Sequence, residues 1–112
     1  MQNFVYRYRS PERAVEVGRR LYKRFSSSVM TELNAVVDSD GSVVLEARFG
    51  NPLQQPDRER VQEIMLPGEE VGEALYDVIM RSLPGKMVFL GDALMGLQMM
   101  FPEEDRPGGR LR

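Results

Sequence analysis

The chain has 112 residues, 42% hydrophobic and 29% charged, a balance that suits one globular core and excludes a disordered polymer. It contains neither Cys nor His, which excludes disulfides, thiol nucleophiles and Cys-ligated zinc, and removes the commonest general base at neutral pH. Net charge is −2 but uneven: residues 1–24 carry seven basic side chains against two acidic, and the remaining 88 carry eight against fifteen.

No apolar run approaches the ~18 residues of a membrane span, and the first ten residues lack the basic-then-apolar pattern of a secretory signal. The expectation is therefore a protein without a membrane segment, with the cytoplasm as its compartment. Residues 3–9, NFVYRYR, alternate strictly, with Phe4, Tyr6 and Tyr8 on one side, so they predict a strand. Ser10-Pro11-Glu12 then supplies a cap, a pre-set first turn and an acid at the positive end of a helix. Ala14, Val17, Leu21 and Phe25 follow at spacings of three and four, flanked by Val15 and Tyr22, and predict an amphipathic helix. Three serines at 26–28 end it.

Residues 29–37 and 42–49 alternate as a hairpin around Asp38-Ser39-Asp40-Gly41. That turn resembles the opening of a calcium loop, but β-branched residues follow at once and the later oxygen ligands are missing. Residues 50–57 read as a loop. Residues 60–66, RVQEIML, read as a third consecutive strand, with a helix as the alternative. Residues 69–83 repeat a helical pattern with Val71, Ala74, Leu75, Val78 and Ile79 on one face, and Leu83-Pro84-Gly85 stops it. Residues 86–90 suit a short strand, and Asp92 suits the cap of a last helix that ends before Pro102. Residues 103–112 have little to bury and read as a flexible tail behind a single domain over 1–102.

The order β-α-β-β-β-α-(β)-α predicts an α+β fold: an antiparallel sheet of about four strands with two main helices packed on one face, ferredoxin-like or a related two-layer sandwich. Phe4, Tyr6, Tyr8, Leu33, Ala35, Val37, Val43, Leu45 and Phe49 form the expected core face. Val5, Arg7, Arg9, Glu32, Asn34, Val36, Val44, Glu46 and Arg48 form the opposite face, where charges can pair across strands.

Between Pro11 and Leu83 the element order α-β-β-β-α resembles that of double-stranded-RNA-binding domains. Those domains place lysines at the start of the second helix, whereas this chain has Gly68-Glu69-Glu70, which repels phosphate. A comparison with acylphosphatases ends similarly: the loop after the first strand, Arg9-Ser10-Pro11-Glu12, has no Gly and puts a carboxylate where an anion would sit. No catalytic, cofactor or metal residue follows from either comparison.

Two surfaces remain. Residues 87–101, MVFLGDALMGLQMMF, hold ten Met, Val, Leu or Phe residues out of fifteen. A helix apolar nearly all round cannot hide wholly against one sheet in so small a domain. Leu94, Met95, Leu97, Met99, Met100 and Phe101 are therefore the expected partner-binding residues of a protein–protein interaction module, a homodimer or a small regulatory or adaptor-like subunit. The alternative is a nucleic-acid-binding accessory protein using Arg7, Arg9, Arg13, Arg19, Arg20, Lys23 and Arg24, since arginine suits phosphate forks.

Overall fold

The alternating start of the chain forms a strand, Gln2–Tyr8 (β1), and Ser10 caps the helix Pro11–Arg24 (α1) by accepting from the Arg13 amide. Strands Met30–Val37 (β2) and Val43–Phe49 (β3) follow as a hairpin, then helix Gln55–Met65 (α2), a two-residue strand Glu69–Glu70 (β4), helix Glu73–Arg81 (α3), strand Met87–Phe89 (β5) and helix Ala93–Met100 (α4). This computed structural model describes residues 2–82 and 84–102. The tail expected over 103–112 lies outside the described residues. The result is an α+β fold whose sheet has five antiparallel strands in the order β4-β1-β3-β2-β5.

Register decides which side chains meet. Phe4, Tyr6 and Tyr8 of β1 lie opposite Ala47, Leu45 and Val43 of β3, and these in turn face Leu33, Ala35 and Val37 of β2. All nine residues of the expected core face are buried in one cluster with Leu21 of α1, Val61 and Met65 of α2 and Leu97 of α4. Phe49 sits at its centre, edge-on to Phe4 and Phe25 with ring centroids 5.8 and 5.3 Å away. The Tyr8 hydroxyl reaches the Met65 carbonyl at 2.6 Å and ties α2 to the sheet. At the hairpin, the Asp38 and Ser42 backbones pair, Asp40 accepts from the Ser42 amide and hydroxyl, and Gly41 takes φ +89°, which costs a glycine nothing. Those two hydrogen bonds from Ser42 hold the Asp40 carboxyl below its ordinary pKa.

Three expectations change in detail. The sheet has five strands rather than about four. Residues 60–65 belong to a helix, the alternative reading, and Leu66 is its C-cap: Val61, Ile64 and Met65 are buried at helical spacing, and Pro56 and Asp57 occupy its first turn. Last, the second face of the sheet is covered. Residues 69–70 pair with β1, Val71 donates to the Val5 carbonyl at 2.9 Å, and only from Glu73 does the chain turn helical. That reversal carries α3 to the side opposite α1, α2 and α4, where Tyr76, Ile79 and Met80 pack on Val5, Val36 and Val44. The helix is therefore rotated from the predicted apolar face: Leu75 and Val78 are exposed and Tyr76 is buried.

Candidate interaction surface

Residues 87–101 divide between the core and the surface. After β5, Gly91 turns with φ +87°, and the Leu33 amide donates to its carbonyl. α4 then runs back along the core face, where Ala93 and Leu97 are fully enclosed and Leu94 and Phe101 pack partly on the same cluster. Gly96 allows the close approach: a Cβ there would run into the Phe89 ring of β5. Met95 and Met99, on the other side of the helix, are 61% and 78% exposed, and Met100 is exposed beside them. Of the expected partner-binding residues, Leu97 thus belongs wholly to the core, Leu94 and Phe101 are half-buried, and Met95, Met99 and Met100 face outward.

The exposed methionines have company. β5 is an edge strand, flanked on one face by α4 and on the other by α3. Met87 of β5 and Leu90 just after it are exposed, as are Leu75 and Val78 of α3. Nine large apolar side chains are exposed among the described residues, and seven of them lie between residues 75 and 100. Five of the seven, Met87, Leu90, Met95, Met99 and Met100, lie on β5, the turn after it and α4, while Leu75 and Val78 lie on α3 across the sheet. Within residues 87–101 the only charged side chain is Asp92. Its carboxylate accepts from the Tyr22 hydroxyl at 3.1 Å. Burial, with the Asp92 charge and that hydrogen bond, pushes the Tyr22 phenol up to about 12.

The basic residues are less gathered. Arg7, Arg9 and Arg13 surround a shallow hollow, but Glu69 lines it too, opposite Arg7 across the β1–β4 pair. Arg19, Arg20 and Lys23 line a second hollow with Glu16, Tyr22 and Leu94. Arg13 pairs with Glu16 and Arg24 with Asp57, each at 3.0 Å. Carboxylates therefore interrupt the positive surface at three points, and no continuous phosphate-binding strip emerges among these residues.

Under α3 lies a polar group that sequence reasoning did not assemble. Glu46, on the central strand, is buried. Its Oε1 accepts from Asn34 Nδ2 at 2.9 Å and from the Tyr76 hydroxyl at 3.0 Å, and its Oε2 accepts from Asn3 Nδ2 at 2.7 Å. Arg48 stands 3.9 Å from Oε2 and 3.4 Å from Glu32. The Gly91 amide donates to Asn34 Oδ1 at 2.6 Å, linking the network to the turn between β5 and α4. Burial, then the neighbouring Glu46 charge, raises the Tyr76 phenol well above its ordinary value. Every buried side-chain polar atom among the described residues has a partner, so the network reads as a structural latch holding α3 to the sheet. The visible signals are Asn34 opposite Glu46 in the hairpin register and the spacing of Tyr76, Ile79 and Met80.

No group of metal-ligating side chains occurs among the described residues, and none of their helices is long and apolar enough to cross a membrane. Comparison with protein-family models, with curated proteins and with solved structures gives no match.

Proposed function

We propose that this protein is a self-associating interaction module, a small regulatory or adaptor-like subunit, that docks a second copy of itself through α4 and the edge strand β5. The observation that carries the reading is the set of exposed apolar side chains on these elements and the turn between them, with Met99, Leu90 and Met95 the most exposed. Each such side chain contributes about 1.5–3 kcal/mol when fully withdrawn from water. Residues 87–101 themselves carry a single charge, Asp92, so β5 and α4 bring little like charge of their own to a contact between two copies. A face that tolerates itself is what a two-fold contact requires, and the two-fold dimer is the commonest assembly. Methionine adapts to a partner's contours because its side chain is unbranched and polarizable.

The nucleic-acid alternative draws less support, because Glu16, Asp57 and Glu69 already stand beside the cations it needs. Sedimentation velocity over a wide concentration range tests the proposal. The wild-type chain is expected to move from monomer to dimer, and Met95→Glu combined with Met99→Glu is expected to raise the dissociation constant about a hundredfold or more. A wild-type chain that stays monomeric throughout refutes the reading.

A further inference from the structure

We infer that the exposed methionines of this face form an oxidation site through which a peroxide switches docking off; the inference rests on the docking reading above and assigns its regulation. The chain has eight methionines and no cysteine, so no thiol intercepts an oxidant before the thioethers do. Accessibility then selects among them. Met30 and Met65 are enclosed in the core and Met80 is half-buried between α3 and the sheet. Met99, Met95, Met87 and Met100 are exposed, in decreasing order. Among the described residues, all the exposed thioethers therefore belong to β5 and α4, the two elements that dock.

The chemistry is a two-electron oxygen transfer. A thioether sulfur lone pair attacks one oxygen of hydrogen peroxide and the O–O bond breaks. That oxygen remains on sulfur as the sulfoxide, and the other leaves as water after taking up the proton. Sulfur is oxidised by two electrons and the peroxide is reduced by two. The product has a strong acceptor oxygen where an apolar group stood. Gln98 is the one side-chain hydrogen-bond donor within residues 87–101, so docking β5 and α4 on their own copies would bury most of the new acceptors without partners. Docking itself covers these sulfurs, so the monomer is the species that reacts and oxidation pulls the equilibrium toward it. Higher protein concentration should slow sulfoxide formation at Met95 and Met99.

The test treats the full chain with hydrogen peroxide, maps sulfoxides by peptide mass spectrometry and measures association by sedimentation. Met99 and Met95 are expected to oxidise ahead of Met30 and Met65, and the dimer dissociation constant to rise about tenfold or more. Methionine sulfoxide reductases of both epimer specificities should restore it. A variant with leucine at 87, 95, 99 and 100, which keeps volume and apolarity, should dimerise before and after peroxide alike. Undiminished association once Met95 and Met99 are fully oxidised overturns the switch while leaving the docking reading intact. Equal loss of association in the leucine variant also overturns it, because the effect then lies elsewhere. An untreated chain that is monomeric at every concentration overturns the docking reading itself, and the peptide map still decides whether these sulfurs oxidise first.

Discussion

Glu46 is the one buried carboxylate among the described residues, and its three hydrogen bonds explain how an acid persists in the middle of a sheet. Removing a donor leaves a buried anion under-solvated. Tyr76→Phe is expected to cost about 1.5–3 kcal/mol, the scale of a hydrogen bond to a charged group, read as a lower urea midpoint. Glu46→Gln should cost a similar amount, since one amide nitrogen would then face a donor, and the double variant should cost less than the sum because both lose the same contact. Strictly additive losses would dissolve the latch. Tyr22 makes a separate claim in alkali. Its folded pKa of about 12 lies above the unfolded value near 10, so its contribution to stability is complete below pH ~10 and is lost as pH rises toward ~12. Over that window the wild-type urea midpoint should fall more steeply than that of Tyr22→Phe; parallel curves would reject the assignment. At this scale the sequence tells which residues are oily and which charged, but not that Asn3, Asn34 and Tyr76 converge on Glu46. That convergence needs the pairing register and the rotation of a helix.

Elements were more legible. Alternation locates β1, β2 and β3 to within a residue or two, and the Ser-Pro-Glu start and the stripe Ala14, Val17, Leu21 place α1. The short apolar run 60–66 fits both periods, and its helix starts within residues 50–57, whose prolines and glutamines suggest a loop. α3 misleads for a different reason. Its apolar residues cover more than half its circumference, so the side that packs is chosen by which sheet face the preceding Glu69–Glu70 strand delivers it to. The outward methionines of α4 were legible from their excess, whereas the burial of Leu97 depends on Gly96 letting the helix close on Phe89. Gly96→Val is therefore expected to push α4 off β5 and destabilise the protein by about 1–3 kcal/mol. Hydrogen exchange should show α4 losing protection before β2 and β3 do. Uniform loss across the fold would count against the local account.

At the scale of the molecule, the fold class is legible because β1, α1, β2 and β3 each have one dominant apolar side and only a sheet with helices against it hides most of them together. The cover on the reverse face is not, because it depends on a two-residue strand, Glu69–Glu70, too short to carry a period. Self-association links to stability by mass action: if two copies bind only when folded, the thermal midpoint must rise with protein concentration. A calorimetric or fluorescence melt over a dilution series should show that slope for the wild type and a flat line for the Met95→Glu, Met99→Glu variant. A flat line for both would contradict the proposed assembly.

The two rims of the sheet differ in a way that bears on how far assembly can run. On the β4 side the outermost strand is a pair of glutamates, and negative charge at a strand border discourages another backbone from joining it. On the β5 side the border is Met-Val-Phe, short and uncharged. A subunit adhesive along both margins would stack without limit into filaments. One that is adhesive along a single margin consumes that margin at its first encounter, and growth ends at the pair.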